Sequence, residues 1–424
     1  MVGPAFFSSL ALLTRIGYVA MIVRKGLRGK LMPDVELNFS REEYATRLTK
    51  VRQSMENHGL DVVVTTDPSN MSWLTGYDGW SFYTPQAVIV TLDDDPIWWG
   101  RGMDAKGALR TVYMDERHIV AYSDDHVMST ERHAFQHLAA LLAGSRFGQA
   151  TIGVELDNYY YSAASHGHLL AGLPEATVVD ATALINWQRA VKSAQELVYM
   201  RRAATIVENM HNRILELVEP GLRKNDLVAE VYHTAISGTD EFGGDYPAMV
   251  PLMPTGADAS AAHLTWNDKP FENEAGTFFE LAGCHRRYNV PLCRSVYLGT
   301  PPQKMVEAEK ALVSGLEAGL AVALPGNRAC DIANALHDEL AKAGIERDAR
   351  CGYPIGLSYP PDWGERTISL RGTDESILKP GMTFHFMPGI WMDDWGLEIT
   401  ESFAISAEGA PEVFADLPRK LFVK

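Results

Sequence analysis

Four stretches in the C-terminal half of the chain gather residues able to do chemistry. They are Ala261-Ala262-His263-Leu264-Thr265-Trp266, Phe279-Glu280-Leu281-Ala282-Gly283-Cys284, Gly352-Tyr353-Pro354-Ile355-Gly356 and Leu397-Glu398-Ile399-Thr400-Glu401-Ser402. Glu280 follows Thr277-Phe278-Phe279, so its carboxylate is expected to be buried, and burial is costly without a partner. Two readings are open. Glu280 is an acid, base or nucleophile, or it is the structural partner of an arginine such as Arg287 or Arg294. If Leu397–Ser402 is a strand, Glu398 and Glu401 face opposite sides, because side chains alternate with period two. At most one of them then enters a given cleft, and for Glu398 the solvated reading is preferred. His263 is a candidate proton carrier, since an imidazole exchanges a proton near neutrality. As one of 13 histidines it is equally a satisfied surface or core residue. Trp73, Trp80, Phe82 and Tyr83 form an aromatic patch that reads as core or as rings closing over a cationic ligand.

Elements must position these groups. Ser40-Arg41-Glu42-Glu43 reads as a capping box opening a helix with Tyr44, Leu48, Val51 and Met55 on one face. Strands are expected over 61–65, 152–156 and 177–179, with a hairpin from Ala87–Leu92 to Ile97–Trp99. A boundary falls near Val191-Lys192-Ser193, where an amphipathic helix begins with Leu197, Met200, Ala204, Val207 and Met210 on one face. The expected organisation is a leader over 1–38, an α/β domain over 39–188 and a second domain over 189–424. The second domain echoes itself. Pro220-Gly221-Leu222-Arg223 with Asp226-Leu227 returns as Pro325-Gly326-Asn327-Arg328 with Asp331-Ile332, and Thr277-Phe278-Phe279-Glu280 returns as Thr383-Phe384-His385-Phe386 at nearly the same offset. Two matches imply a duplicated unit. Duplicated halves pack about a pseudo-two-fold axis and leave a cleft where small molecules bind.

The composition narrows the function. The 424 residues are 46% hydrophobic and 22% charged, as in a globular protein of two or three domains. A net charge of -16 disfavours nucleic acid and anionic membrane as partners. Cys284, Cys293, Cys330 and Cys351 have no metal-ligand spacing and read as free thiols of a reducing cytoplasm. Phe6–Val23 is apolar, but Arg15 leaves pieces too short to span a bilayer, so the leader reads as an extension before a later start at Met21 or Met32.

Taken together, from about residue 39 to the end, these stretches resemble the creatinase/prolidase/methionine-aminopeptidase superfamily. The resemblance implies a creatinase-like α/β domain followed by a pita-bread domain, an α/β (α+β) fold overall. Metal-dependent members hold two ions with Asp, Asp, His, Glu and Glu. Laid on this chain, those positions are Glu280, Pro291, Tyr353, Met387 and Glu401. Proline has no side-chain donor and methionine is a poor ligand for hard cations, so the resemblance implies a metal-independent member without cofactor. His263 falls where creatinase keeps its catalytic histidine. Glu280 and Glu401 would then hold a planar amidinium or guanidinium by charge-assisted hydrogen bonds.

Longer words resemble one branch, the ectoine hydrolases. They include Trp73-Leu74-Thr75-Gly76-Tyr77-Asp78-Gly79-Trp80-Ser81-Phe82-Tyr83, Gly243-Gly244-Asp245-Tyr246-Pro247-Ala248, His263-Leu264-Thr265-Trp266 and Tyr353-Pro354-Ile355-Gly356-Leu357-Ser358-Tyr359-Pro360-Pro361-Asp362-Trp363-Gly364-Glu365-Arg366. That branch implies opening of ectoine to an N-acetylated diaminobutyrate and leaves open whether 5-hydroxyectoine is also a substrate. It also implies a cytoplasmic homodimer, in which one subunit's first domain helps close the other's site, and a downstream deacetylase as functional partner. Glu280, His263 and Glu401 are the expected catalytic residues. Glu280 is either a base for water or a nucleophile forming a covalent intermediate. Trp80, Tyr353, Met387, Trp363 and Glu398 are expected to line the pocket, with Arg101 or Arg366 on the substrate carboxylate. The rivals are a creatinase-like guanidine hydrolase and a catalytically dead binding module.

Overall fold

Ser40 accepts a hydrogen bond from the Glu43 amide and starts α1 (Arg41–Asn57), but the expected capping box is not closed. The Glu43 carboxylate instead pairs with Arg47 one turn on, at 2.9 Å. This is the first helix of a computed structural model that describes residues 35–424; all but the last four residues of the expected leader lie outside the described residues. After α1 come β1 (Val62–Thr65), α2 (Pro68–Thr75), β2 (Ala87–Thr91), β3 (Ile97–Arg101), α3 (Ala105–Thr111), β4 (Ile119–Tyr122), α4 (Ala134–Ala143), β5 (Thr151–Val154), α5 (Ala163–Gly172), β6 (Thr177–Asp180) and α6 (Leu184–Arg189). The strands form one sheet in the order β4-β3-β2-β1-β5-β6. Strands β1, β2 and β3 run antiparallel, and the flanking pairs are parallel. Central β1 is Val-Val-Val-Thr and wholly buried, the composition of a strand covered on both faces. The chain divides into two compact units after Gln188.

The second unit, Arg189–Lys424, opens with α7 (Ala194–Leu217). Here the capping box is complete: Ser193 caps the Glu196 amide and the Glu196 carboxylate returns to the Ser193 amide. Then follow α8 (Lys224–Ser237), β7 (Ala275–His285), β8 (Tyr288–Leu298), α9 (Gln303–Ala321), α10 (Ala329–Lys342), β9 (Gly352–Pro354), β10 (Thr383–Phe386), β11 (Gly389–Trp391), β12 (Gly396–Glu398), β13 (Glu401–Ala404), β14 (Glu412–Val413) and β15 (Phe422–Val423).

The echo in the sequence is an echo in space. Gly221 and Gly326 both turn the chain at positive φ, 94° and 91°, before a helix. Arg223 and Arg328 then occupy the N-caps of α8 and α10, each paired with the aspartate three residues on. Each helix pair is followed by its own sheet, β15-β8-β7 after the first and β14-β13-β10-β9 after the second. Leu312, Leu316, Ile332 and Leu336 of α9 and α10 bury Phe384, Phe386 and Phe403 of the second sheet, which fixes the strands that carry the site.

Candidate active site

Glu280 sits in the middle of β7. The β7–β8 hairpin pairs Phe278 with Ser295, Glu280 with Cys293 and Ala282 with Pro291. Paired residues share a face, so these six side chains lie together, while Phe279 and its partner Arg294 face the other way. The free edge of β7 is bonded to Leu252, whose amide and carbonyl both pair with Glu280. Glu280 is 6% exposed. Neither arginine expected of it is its partner: Arg294 serves Glu401, and the Arg287 guanidinium lies 3.7 Å from the Tyr246 ring. The charged partner in reach is His385, whose Nδ1 lies 3.9 Å from Glu280 Oε1. Burial pushes the Glu280 carboxyl up to about 7.

His385 belongs to β10, opposite Tyr353 of β9. The strands approach so closely that a Cβ on Gly352 would meet the His385 carbonyl oxygen at 2.5 Å, and only glycine fits there. His385 Nδ1 is hydrogen-bonded to the Tyr353 hydroxyl at 3.2 Å and Nε2 to the Thr400 hydroxyl at 2.9 Å. Trp363 Nε1 donates to the Tyr353 hydroxyl at 2.7 Å, and the Cys293 amide donates to Thr400 Oγ1 at 2.7 Å. Burial, with Arg350 adding to it, lowers the His385 pKa to about 3. The imidazole is therefore neutral at pH 7, with one nitrogen donating and the other accepting. Burial, and then the Glu280 carboxylate, holds the Tyr353 phenol well above its usual range. Trp363, Tyr353, His385 and Thr400 thus form a satisfied chain beside Glu280.

Glu398 completes the acidic part of the site. The expectation that it is solvated is corrected: it is 1% exposed. Its backbone exchanges hydrogen bonds with the Ser295 hydroxyl, and β12 packs against β7 and β8. Burial and then the nearby Glu280 raise its carboxyl well above the usual carboxylate range, and the Cys293 thiol interacts with it. Two buried carboxylates therefore share one place, and among the described residues neither forms an ion pair with a lysine or arginine.

Glu401 points elsewhere. Its Oε1 accepts from Arg294 Nη2 at 2.7 Å and from Arg419 Nε at 3.0 Å. Arg294 lies on the face of β8 opposite Cys293, so the expectation that Glu280 and Glu401 grip one cation together is corrected. The stretch 397–402 is not the single strand that the parity argument supposed: it breaks at residues 399–400 into β12 and β13 of different sheets, and the acid beside Glu280 is Glu398. On the side of His385 the segment presents Thr400. These facts also bear on metal. Pro291 offers no side-chain donor, the Tyr353 hydroxyl is held by Trp363 and His385, and Glu401 is neutralised by two guanidiniums. Among the described residues no group of three or more His, Cys, Asp or Glu side chains has the geometry to hold an ion. The residues present do not fit the dinuclear centre that the superfamily implies.

His263 is exposed, on the loop after the 3-10 turn Gly256–Ser260, and makes no hydrogen bond among the described residues. The Leu264 carbonyl accepts from the Met253 amide, one residue beyond the backbone pair between Leu252 and Glu280. His263 therefore stands on a loop tied to the edge of the site. Met387 is half-buried, its amide bonded to the Cys351 carbonyl. Arg366 is exposed, at φ 55°. Trp80 and Arg101 belong to the first unit. Trp80 is 56% exposed beside Phe82, and Arg101 pairs with Asp124 at 2.6 Å.

The site contains residues that sequence reasoning passed over. His385 lay inside the recognised echo, in Thr-Phe-His-Phe, and a histidine where the first repeat has Phe279 was a legible signal. Thr400 lay inside the stretch 397–402 but was given no role of its own.

Residues 47–191 match the Creatinase/Prolidase N-terminal domain and residues 198–407 match metallopeptidase family M24. Ectoine hydrolase of Halomonas elongata is 56% identical over 400 residues, covering 93% of this chain and 100% of that protein. An uncharacterized hydrolase/peptidase of Sinorhizobium fredii is 40% identical, covering 92% and 99%. Among solved structures, the prolidase from Thermococcus sibiricus superimposes with a TM-score of 0.78 at 16% identity, covering 90% of this chain and 99% of that one. That likeness concerns the fold alone: an N-terminal α/β domain and a pita-bread catalytic domain. With a relative 56% identical across nearly all of its length, the chain belongs to the ectoine hydrolases within the creatinase/prolidase, M24 superfamily, and is a hydrolase.

Proposed function

We propose that this protein opens the cyclic amidine of ectoine by hydrolysis, without metal, to an N-acetyl-2,4-diaminobutyrate. One observation carries the reading: among the described residues Glu280 and Glu398 are buried side by side and neither forms an ion pair with a lysine or arginine, the Arg347 guanidinium acting on Glu398 only from longer range. Two such carboxylates are costly in an empty site and become favourable when a cation enters. An amidinium is planar, carries one charge over two N–H groups, and suits two carboxylates. It also brings its own electrophile. The protonated amidine carbon needs no metal to polarise it, which agrees with a ligand set that does not fit one.

Two routes use the same residues. In the first, Glu280 takes a proton from water as the oxygen adds to the amidine carbon. In the second, a Glu280 oxygen adds to that carbon and water later releases the acyl group. In both, one ring C–N bond breaks, its nitrogen leaves as an amine after gaining a proton, and the carbon remains as an acetamide on the other nitrogen. The neutral His385, fixed by Tyr353 and Thr400, holds the side of the site on which Glu280 acts. His263 supplies the proton exchange from the solvent edge. Rapid quenching of the enzyme during turnover, followed by intact-mass measurement, separates the routes. A mass increase matching the substrate supports the nucleophile, and an unmodified chain at full turnover supports the base.

A creatinase-like guanidine hydrolase would use the same carboxylates. The 56% identical relative named for ectoine favours the amidine. Incubation with ectoine and with creatine, without added metal, decides between them by product.

A further inference from the structure

Arg347 lies between α10 and β9 and was assigned no role above. Its guanidinium is 5.7 Å from the Trp391 ring. Nη2 donates to the Arg350 carbonyl at 3.1 Å; Nε and Nη1 are buried without a hydrogen-bond partner among the described residues, with the Cys351 thiol and the Glu398 carboxylate the nearest groups of opposite polarity. Trp391 Nε1 is buried without a partner too, and so is Glu398 Oε2.

These atoms converge. On the β11–β12 hairpin, Gly389 pairs with Glu398 and Trp391 with Gly396, so Glu398 and Trp391 share a face. The Trp391 ring folds back over Gly389, where an added Cβ would meet it at 2.5 Å. The same ring packs against Ala259, Phe278 and Cys293, and the last two lie on the Glu280 face of β7–β8. Three N–H donors without a hydrogen-bond acceptor among the described residues therefore lie on the Glu398 side of the site. A buried donor left unmade costs about 1–3 kcal/mol, and more when charged. Such a cluster calls for a water, an ion or a ligand group to complete it, and beside an acidic site a group of the substrate can do so. The ligand it fits is an anion with two oxygens, because Arg347 offers adjacent N–H groups from one planar fork and Trp391 offers one more.

We propose that Arg347 and Trp391 form the receptor for the carboxylate of the substrate, across from the amidinium held by Glu280 and Glu398. The inference rests on the amidine reading above and deepens it. The site then matches a zwitterion whose opposite charges are a few bonds apart. It selects a cyclic amidine bearing a carboxylate over one that lacks it. Arg366 and Arg101 do not have this role: one is exposed and the other pairs with Asp124.

The test compares ectoine with the same ring lacking its carboxylate, 2-methyl-1,4,5,6-tetrahydropyrimidine, on the intact protein and on Arg347→Ala and Trp391→Phe. The unaltered protein is expected to prefer ectoine by roughly 100-fold in kcat/KM, the scale of hydrogen bonds to a charged group. Arg347→Ala should lose most of that preference, through a higher KM for ectoine, while its rate on the decarboxylated ring stays within a few-fold. Trp391→Phe keeps an aromatic ring but removes the N–H with the pyrrole half of the indole, so it should lose about tenfold on ectoine and far less on the decarboxylated ring. If Arg347→Ala melts below the assay temperature, Trp391→Phe decides. Undiminished preference for ectoine in the folded variants overturns the receptor while leaving the amidine reading standing. An unaltered protein that opens neither ring overturns the amidine reading itself.

Discussion

At the scale of the residue, Glu280 sets how the enzyme depends on pH. Its carboxyl titrates at about 7 by burial, against 4.5 for a free glutamate. Both routes need the ionised form, so kcat/KM should rise with pH to a plateau just above 7. A bound amidinium favours the charged form, so the corresponding limb of kcat should lie at lower pH. A flat profile, or a limb at ordinary carboxylate pH, removes Glu280 from the reaction. The same shift has a thermodynamic sign. The folded state binds a proton that the unfolded state releases between about 4.5 and 7, so Glu280 costs stability as pH rises through that window. Glu280→Gln should therefore gain melting temperature over the parent at pH 8 and less at pH 5, while losing kcat by about 10³-fold or more. His263 is a cleaner case, because it is exposed and makes no hydrogen bond among the described residues. His263→Ala should keep the parent melting temperature and lose kcat by about 100-fold. A near-parent rate would end its role.

At the scale of the element, β7–β8 and the segment from β12 to β13 sort the carboxylates. Glu280 and Glu398 go to one side; Glu401, with Arg294 and Arg419, goes to the other. Glu401→Gln should therefore behave as a packing change. Stability should fall by about 3 kcal/mol, as for a broken buried pair, with kcat within tenfold of the parent. A loss of kcat like that of Glu280→Gln would return Glu401 to the reaction. Much of this was legible in sequence. The run around Glu280 announced a buried carboxylate, and the Pro-Gly-x-Arg echo announced two helix starts. Strand parity was the wrong tool for Glu398 and Glu401, because the segment breaks into β12 and β13 of two sheets; which of the two faces Glu280 is a tertiary matter. That depends on how β12 packs on β7 and β8, a contact between segments more than a hundred residues apart in sequence. The Ser40 box failed for a related reason: Arg47 drew the Glu43 carboxylate away from the helix start.

At the scale of the whole molecule, the residues present do not fit the dinuclear centre that the superfamily implies. At the positions where the resemblance implies metal donors stand Pro291, Tyr353, Met387 and Glu401, the last bound by two arginines. Among the described residues the site holds two acids without a lysine or arginine ion pair, and buried N–H groups of Arg347 and Trp391 without a hydrogen-bond partner. The misfit to metal was readable from the sequence words alone. The convergence of Arg347 and Trp391 was not, because neither residue lies in a word that marks it. Among the described residues no helix is long and apolar enough to cross a membrane. The central claim is metal-free opening of an amidine ring. Its most direct measurement is ectoine turnover by the purified protein after exhaustive chelation, followed by mass spectrometry of the product. The account predicts one N-acetyl-2,4-diaminobutyrate per ectoine consumed, at a rate unchanged by chelator. An intact ring, or turnover restored only by adding a divalent ion, would contradict it.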